Sequence, residues 1–299
     1  MLPKPILVLG AHGQIGRSIC EILGKKAIAL SSDQADLEQP GKLASIISDY
    51  NPKMIINAAA CTSVDTIENQ ESAAHLVNAD SPKVLAATAK LAGIPFVHFS
   101  TDYVYSGEGD SPWHETDETN PLNAYGRTKL AGDLAIEEVG GKFLIFRTSW
   151  IYHEVGKNFV NTMLRLGREK EVLSIVDDQI GSPSYAADIA EFAIKATEHA
   201  LAMDVFPSGV YHICNKGETS WYNFAEKIFS LADAKKIPLT IKDIKQIKTR
   251  EYKTAAQRPL NSRLDCSKLR DTFGLELPTW ENALERCMKN YPQLATRNS

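Results

Sequence analysis

Short apolar runs alternate with segments of helical periodicity along the first half of the chain. The apolar runs lie at residues 5–10, 27–30, 53–57, 94–99 and 143–147. Runs that are apolar on both faces are typical of parallel strands buried between layers of helices. The pattern therefore predicts an α/β protein with a Rossmann-type, doubly wound parallel sheet.

The regular alternation ends after residue 150. Helical and strand-like segments then follow in a less regular order, and neither a linker nor a repeat separates them from the first half. We predict a Rossmann domain over residues 1–152, to which 172–205 returns. A smaller, interleaved C-terminal lobe is predicted over 206–299, together with 153–171.

Composition narrows the class of protein. The 299 residues carry 33 basic and 37 acidic side chains, a balance that favours neither a nucleic-acid partner nor another polyanion. No apolar run reaches transmembrane length, and the N-terminal run leads directly into a glycine-rich turn, so we expect a first strand and no membrane partner. The five cysteines lack C-x-x-C spacing, which argues against disulfides or zinc and fits a cytoplasmic location.

A glycine-rich turn follows the first apolar run. It reads GAHGQIG, with Gly10, Gly13 and Gly16 at spacings of three, and helical periodicity continues through Gln14 and Ile15. Strand, glycine turn and helix together are typical of a site where a dinucleotide diphosphate sits on a helix N-terminus. The alternative is a tight turn without a ligand.

The end of the second strand bears on cofactor choice. NAD-binding folds often place an acid there for the ribose hydroxyls, whereas this chain has Ser31 followed by Ser32. That weakens a strict NAD reading and leaves NADP open, so we expect NADPH or NADH, with NADPH slightly favoured. Asp36 and Leu37 are predicted to line the adenine.

Small residues follow the third strand at Ala58, Ala59 and Ala60. They would let a cofactor lie against the backbone, although close helix packing explains them equally well. Thr62 and Phe99 complete the predicted cofactor site.

The stretch AYGRTK places Tyr125 four residues before Lys129, so both side chains lie on one face of a helix. A nearby cation favours the phenolate and lowers the pKa of a tyrosine from its usual value of about 10. Thr101 follows the fourth strand, at the sheet edge where open α/β folds place their chemistry. The alternatives are a solvated helix face for the pair and a turn cap for Thr101, and His98 is expected in the core.

The ordered set of GAHGQIG, STDYVY, the Tyr125–Lys129 pair and FRTSW resembles the extended short-chain dehydrogenase/reductase superfamily. Longer strings, among them ETDETNPLNAYGRTKLAGD, DDQIGSP and RPLNSRLD, resemble the dTDP-4-dehydrorhamnose reductase family over nearly the whole chain. That resemblance implies NAD(P)H-dependent reduction of the C4 ketone of a dTDP-4-keto-6-deoxy sugar, dTDP-4-dehydro-β-L-rhamnose, to dTDP-L-rhamnose for surface polysaccharide.

The resemblance also implies residue roles. Thr101 would hold the C4 oxygen and Tyr125 would protonate it. Lys129 would lower the pKa of Tyr125 and hold the nicotinamide ribose. The implied substrate residues are Thr101, Asp102, Trp150, Asn158, Gln179 and Arg258. Trp150 could instead be a core residue between the lobes, and Arg258 could be exposed or salt-bridged.

Ser18 departs from the family pattern. Some members carry there a glutamate that helps to hold magnesium at a dimer interface. We therefore predict no metal ligands, regard magnesium as doubtful and leave a homodimer open.

Two other functions remain as alternatives. Another nucleotide-sugar enzyme of this fold, such as a 4,6-dehydratase, usually needs an acidic pair where Thr101-Asp102-Tyr103 offers one acid. A non-catalytic regulatory subunit similar to that of methionine adenosyltransferase would bind NADP without turnover. The intact set of Thr101, Tyr125 and Lys129 favours an enzyme.

Overall fold

A computed structural model describes residues 2–291 of the chain, and parallel strands form its centre. The strands, in chain order, are β1 (Ile6–Leu9), β2 (Ala27–Leu30), β3 (Met54–Asn57), β4 (Phe96–Thr101), β5 (Phe143–Thr148), β6 (Ile151–Tyr152), β7 (Val172–Val176), β8 (Ile180–Gly181), β9 (Ser184–Tyr185), β10 (Gly209–His212), β11 (Thr219–Ser220), β12 (Asp243–Ile247) and β13 (Asn261–Ser262).

Helices connect these strands. They are α1 (Gln14–Leu23), α2 (Pro40–Tyr50), α3 (Val64–Ile67), α4 (Glu71–His75), α5 (Ser81–Leu91), α6 (Ala124–Val139), α7 (Phe159–Glu169), α8 (Ala186–Ala202), α9 (Trp221–Ala234), α10 (Ser267–Phe273) and α11 (Trp280–Asn290). A π-helical turn, Leu76–Asp80, joins α4 to α5. Within residues 2–291, no helix combines the length and the apolar character needed to cross a membrane.

The central sheet has six parallel strands in the order β2-β1-β3-β4-β5-β10. The chain winds outwards from β1 to β2 and then returns to the other side of β1 with β3. This reversal creates a crevice beyond the carboxyl ends of β1 and β3, where doubly wound sheets bind their ligands. The predicted Rossmann-type α/β fold is confirmed.

Helices cover both faces of the sheet because its strands are apolar on both sides. Ile6 and Val8 belong to the core beneath α1 and α8, whereas Leu7 and Leu9 belong to the core on the side of α2, α5 and α6. All four side chains are at most 1% exposed. Burial on this scale contributes about 1.5–3 kcal/mol for each large apolar side chain.

A third apolar core lies in the C-terminal lobe. It is built from α7, α9 and α11 with the paired strands β7 and β12, and Tyr152, Phe224 and Trp280 are among its buried side chains. The two lobes meet at a short strand pair. Ile151 and Tyr152 in β6 pair with β9, and β9 directly precedes α8, which packs on the Rossmann sheet.

Two segments lie in the other lobe from the one predicted. β7 pairs with β12, so 172–176 belongs with the C-terminal lobe and only α8 of 172–205 packs on the Rossmann sheet. β10 pairs with β5, so 209–212 completes the central sheet. The reason is the right-handed crossover: a helix that packs on a parallel sheet returns the chain to a new strand of that sheet. Residues 1 and 292–299 of the predicted domains lie outside the described residues.

Candidate active site

The glycine turn after β1 packs backbone against backbone. Gly10 has φ +74°, and a Cβ there would lie 2.5 Å from the Ala59 nitrogen. A Cβ on Gly16 would lie 2.1 Å from the Gly10 carbonyl oxygen, so α1 can approach the turn only because this residue is glycine. Gly13 caps α1 and donates its N–H to the Gly10 carbonyl oxygen at 2.9 Å. The arrangement is a backbone cradle at a helix N-terminus that fits a dinucleotide diphosphate.

Gln14, the first residue of α1, connects this turn to the C-terminal lobe. Its Oε1 accepts a hydrogen bond from Asn158 Nδ2 at 3.0 Å. Asn158 also caps α7, because its Oδ1 accepts from the Asn161 N–H at 3.0 Å. The predicted substrate residue Asn158 is thus a bonded link between the lobes, and Ile15 packs its side chain against the core beneath α1.

The end of β2 carries hydroxyl groups and no acid. The Ser31 N–H and Oγ both donate to Gln34 Oε1, at 3.0 and 3.1 Å. The Asp36 carboxylate accepts from the Glu38 N–H and from the Gln39 side chain, and these bonds lower its pKa. Leu37 is buried and packs in the core on the side of α2, α5 and α6.

The turn after β3 lies directly beside Gly10. Ala58 donates its N–H to the Leu9 carbonyl oxygen at 3.0 Å, and the Ala59 N–H donates to Asn57 Oδ1 at 3.2 Å. Ala60 is half-buried and Thr62 is exposed. The alanines therefore line the crevice, as expected if a cofactor lies against this backbone.

Asn78, a residue that is not among those predicted for the site, holds this turn in place. Its Oδ1 accepts from the Cys61 N–H at 2.9 Å, while its Nδ2 donates to the Cys61 carbonyl oxygen and to Thr128 Oγ1, both at 3.1 Å. The signal was an asparagine in the middle of a helical pattern, where its propensity is poor. The residue lies in the π-helical turn and joins the crevice to α6.

The structure brings the three predicted catalytic residues together. Thr101 ends β4, Tyr125 lies in the first turn of α6, and Lys129 follows one turn later. The helix begins beside the strand because Asn123 caps it, accepting from the Gly126 N–H at 2.8 Å. A Cβ on Gly126 would lie 2.2 Å from the Tyr103 carbonyl oxygen, so glycine permits this close approach.

The pKa of Tyr125 moves in the direction opposite to the prediction. Burial raises the pKa of Tyr125 above its ordinary value. The hydrogen bond with the Thr101 hydroxyl lowers this pKa, but by less than burial raises it. Lys129 does not lower it, because the ammonium is turned away: Nζ donates to the Phe99 carbonyl oxygen at 2.7 Å and contacts His98 Nε2 at 3.0 Å. Burial also lowers the pKa of Lys129 to about 8.

Several buried polar atoms at the carboxyl ends of β4 and β5 have no hydrogen-bond partner among the described residues. They are Ser100 Oγ, Asp102 Oδ2 and Thr148 Oγ1. Burial raises the pKa of Asp102 to about 7, although its Oδ1 accepts from Thr101 Oγ1 at 3.1 Å. Such groups usually have a ligand or water as partner, so this edge fits a polar substrate.

Two stacked indoles lie beyond this edge. Trp150, with φ +49°, stacks on Trp221 with ring centroids 3.6 Å apart and planes 12° apart. Trp221 Nε1 donates to Gln179 Oε1 at 3.1 Å, and Gln179 Nε2 donates to Thr249 Oγ1 at 3.2 Å. Trp150 is half-buried, and Trp221 is a partner that the sequence did not indicate.

Arg258 reaches the same region from the C-terminal lobe. Its guanidinium pairs with Asp65 at 2.8 Å, which matches the salt-bridged alternative, but its buried Nε has no partner among the described residues. It also interacts with the Tyr103 hydroxyl, and the Tyr103 ring meets Tyr125 edge to face with centroids 5.6 Å apart. Tyr103 thus connects Arg258 to Tyr125, the candidate proton donor.

In the part of the chain that the structure describes, no group of three or more His, Cys, Asp or Glu side chains could hold a metal. Ser18 is buried and donates its Oγ to the Gln14 carbonyl oxygen at 3.2 Å. A cavity of about 300 Å³ lies beside α10, where Cys214 and Cys266 line it, but Thr101, Tyr125 and Lys129 do not.

Comparisons with known proteins show the family of the chain. Residues 4–293 match the family model described as RmlD substrate binding domain. The chain is 44% identical to a dTDP-4-dehydrorhamnose reductase of Burkholderia thailandensis, over 95% of this chain and 98% of that protein. It is 40% identical to the Escherichia coli K12 enzyme of the same name, over 95% and 96% of the two chains. A crystal structure of dTDP-4-dehydrorhamnose reductase from Bacillus anthracis in complex with NADP superposes with a TM-score of 0.88 at 34% identity, covering 96% of this chain and 99% of that one. The chain therefore belongs to the RmlD family of dTDP-4-dehydrorhamnose reductases.

Proposed function

We propose that this protein reduces the C4 ketone of dTDP-4-dehydro-β-L-rhamnose to dTDP-L-rhamnose with NADPH or NADH. The observation that carries the proposal is the convergence of Thr101, Tyr125 and Lys129 at the carboxyl end of β4, beside the glycine cradle. Family membership supports the same reaction, because the relatives described above are reductases of this sugar nucleotide.

The glycine turn and the alanine turn would hold the cofactor. Gly10, Gly13 and Gly16 let the turn pack backbone against backbone at the start of α1, and this brings the helix N-terminus to the crevice, where it suits the diphosphate. Lys129, with its third ammonium proton unassigned, would hold the nicotinamide ribose. When bound, the reduced nicotinamide supplies the hydride.

Tyr125 is the proposed proton donor. Burial raises the pKa of Tyr125, so the residue is a phenol at neutral pH and has a proton to give. Reduction puts negative charge on the ketone oxygen, and the hydroxyls of Tyr125 and Thr101 are the proposed donors to that charge, the Thr101 hydroxyl once it releases Asp102 Oδ1. Proton donation requires the acid form, which Tyr125 holds before the carbonyl is reduced, and a pKa closer to the working pH would make it the stronger acid.

The C-terminal lobe would bind the nucleotide. Arg258 offers a planar guanidinium of the kind that binds phosphate through two hydrogen bonds, once it exchanges its Asp65 partner for the ligand. The Trp150–Trp221 stack offers an aromatic surface beside Gln179 for the base or the sugar.

Purified protein incubated with the dTDP-4-keto sugar and NADPH tests this function. We expect loss of NADPH absorbance that depends on the sugar, with dTDP-L-rhamnose as product. An epimerase or a dehydratase would convert the sugar without net NADPH consumption, and a regulatory subunit would bind NADPH without turnover. Either result would contradict the proposal.

We expect NADPH to serve at least as well as NADH. Ser31 and Ser32 place hydroxyl groups at the end of β2, where an acid would repel a 2′-phosphate. Steady-state kinetics with both cofactors measures the ratio of kcat/KM. A preference for NADH greater than about a hundredfold, equivalent to about 2.7 kcal/mol, would contradict this interpretation.

Trp150→Ala should weaken dTDP-sugar binding and leave NADPH binding unchanged. An aromatic stack of this kind contributes about 0.5–1.5 kcal/mol beyond its buried area, so we expect affinity for dTDP to fall about tenfold. Calorimetric titration with dTDP and with NADPH measures both. Equal losses for the two ligands, together with a lower melting temperature, would instead make Trp150 a core residue. Val172→Ala, an exposed side chain of the same lobe, is the control.

The remaining expectations are also part of this proposal. A cytoplasmic location fits the free thiols of all five cysteines, including Cys214 and Cys266, whose sulfurs are 3.4 Å apart. A homodimer stays a prediction for sedimentation analysis. Magnesium is not expected to be required.

A further inference from the structure

A line of buried polar groups runs behind the candidate catalytic lysine, from α6 across β4 to the end of β3. Lys129 Nζ donates to the Phe99 carbonyl oxygen and lies 3.0 Å from His98 Nε2. His98 Nδ1 lies 3.1 Å from Asn57 Nδ2, and Asn57 Oδ1 accepts from the Ala59 N–H at 3.2 Å. The side chains of Lys129, His98 and Asn57 are at most 1% exposed.

The hydrogen-bond donors and acceptors of these three side chains define one set of protonation states. Asn57 gives its oxygen to the Ala59 N–H, so it presents its NH₂ group, which can only donate, to His98 Nδ1. A neutral imidazole that accepts at Nδ1 carries its proton on Nε2. That N–H points at Lys129 Nζ, which can accept it only as a neutral amine.

The ammonium form of Lys129 requires a second state. Nε2 of His98 must then accept, its Nδ1 must carry the proton, and Asn57 must turn its oxygen towards His98. The Ala59 N–H thereby loses its bond to Asn57. His98 stays neutral in both states, because burial and the neighbouring Lys129 hold the pKa of His98 well below its usual range.

Both states are accessible near neutral pH. Burial lowers the pKa of Lys129 to about 8, and the Asp133 carboxylate one turn along α6 partly opposes this. Arg147 on β5 pairs with Asp133 at 2.9 Å. The other titratable groups nearby are Tyr125, one turn earlier on α6, and Asp102, directly after β4.

We propose that His98 and Asn57 are positioning residues that couple the charge on Lys129 to the hydrogen bond of the Ala59 N–H in the crevice. The inference rests on the proposed function, which assigns both Lys129 and this turn to the cofactor. The Ala59 nitrogen lies beside the glycine turn, since a Cβ on Gly10 would be 2.5 Å from it. An Ala59 N–H that is released from Asn57 would therefore lie next to the proposed diphosphate site. Cofactor binding and the ammonium form of Lys129 should therefore favour each other.

This coupling predicts how NADPH affinity depends on pH. If the complex holds Lys129 as the ammonium, the pKa of Lys129 is higher in the complex than in the free protein. The complex then binds more protons above pH 8, so affinity is constant below the free pKa of about 8 and falls as pH rises through it. The fall is at most about tenfold per pH unit, because one proton is linked.

Fluorescence titration of NADPH between pH 7 and pH 10 tests the coupling with two variants. His98→Phe removes an acceptor from the ammonium, which lowers the onset by about one to two pH units, so the affinity of this variant should already be falling at pH 7, without the wild-type plateau between pH 7 and pH 8. When ionised, the Asn57→Asp carboxylate provides only acceptors, which keeps a proton on His98 Nδ1 and leaves Nε2 as a permanent acceptor for the ammonium, and its negative charge favours the ammonium as well. Its onset should therefore move up, in the opposite direction from His98→Phe. The 2′-phosphate of NADPH is a phosphate monoester with a second pKa of about 6. Its own titration therefore lies below the pH range of the measurement.

Thr197→Val is the matched control. Thr197 is a buried polar side chain of the same domain whose hydroxyl donates to the Ala193 carbonyl oxygen within α8, so its replacement should leave the onset unchanged. Unchanged onsets in both test variants would overturn the coupling and leave the proposed function intact. Wild-type protein that fails to bind NADPH would overturn the proposed function itself. If His98→Phe does not fold, Asn57→Asp decides alone, and an onset that stays in place or moves down would sink the inference.

Discussion

Tyr125→Phe is expected to lower turnover by about 10²- to 10⁴-fold while NADPH affinity stays close to that of the wild type. The phenyl ring still packs edge to face with Tyr103, and only the hydroxyl group is lost. Without it, the ketone oxygen has no proton donor as negative charge develops, and general acid catalysis is worth about 10²- to 10⁴-fold. Single-turnover measurement of NADPH oxidation separates this chemical step from product release.

Tyr103→Phe is the matched control for that experiment. Its ring is equally buried beside Tyr125, and its hydroxyl interacts with Arg258 instead of Thr101. We expect a loss in turnover of less than about tenfold, because the Tyr103 hydroxyl is not the proposed proton donor. A Tyr125→Phe variant with wild-type single-turnover rates would assign the proton donor to another residue.

Arg147→Met is expected to lower the free energy of unfolding by about 3–5 kcal/mol. The Arg147 guanidinium bonds the Asp133 carboxylate at 2.9 Å and the Tyr105 hydroxyl at 2.9 Å, and the two charged side chains are 4% and 0% exposed. Removing the arginine leaves a carboxylate buried without its countercharge, which costs about 3–5 kcal/mol in comparable sites. Urea denaturation monitored by circular dichroism measures the change.

Two further variants test the cause. Arg165→Met breaks an exposed pair with Glu169, whose side chains are 59% and 52% exposed, and should cost no more than about 0.5 kcal/mol. Adding Asp133→Leu to Arg147→Met removes the unpaired charge and should restore much of the loss. Equal effects of Arg147→Met and Arg165→Met would show that the buried pair does not stabilise the fold.

The sheet and the position of the candidate catalytic residues at its edge could be predicted because they depend on local pattern. Buried parallel strands are continuous apolar runs, and the carboxyl ends of such strands meet at one edge. Thr101 directly follows its run, and Asn123 begins the helix that carries Tyr125 and Lys129. Their convergence follows from these two facts.

The placement of β10 could not be predicted in the same way. It is a strand of four residues, and its run is no longer than many in the C-terminal lobe. Its membership of the sheet depends on α8, which packs beside α1 and returns the chain to β5. The local sequence pattern does not identify β10 as a strand of the central sheet. The crossover from the sheet through α8 and back to β5 does.

Side-chain direction was the other limit. A spacing of four residues places Tyr125 and Lys129 on one face of α6 but does not say where a flexible ammonium points. The Phe99 carbonyl oxygen and His98 draw it into the sheet, and burial then raises the pKa of Tyr125. Trp221 was missed for a similar reason, since it meets Trp150 from a distant helix. Asn158, in contrast, directly precedes a helix, where asparagine is a common cap, and that local signal was available.

Transfer of deuterium from the cofactor tests the central claim most directly. Wild-type protein is incubated with dTDP-4-dehydro-β-L-rhamnose and NADPH deuterated at nicotinamide C4, in the stereochemistry that is transferred, and the product is examined by proton NMR and mass spectrometry. We predict dTDP-L-rhamnose with one deuterium at sugar C4 for each NADPH consumed. Deuterium at another carbon, or a converted sugar without deuterium, would contradict a reductase that acts at the C4 ketone.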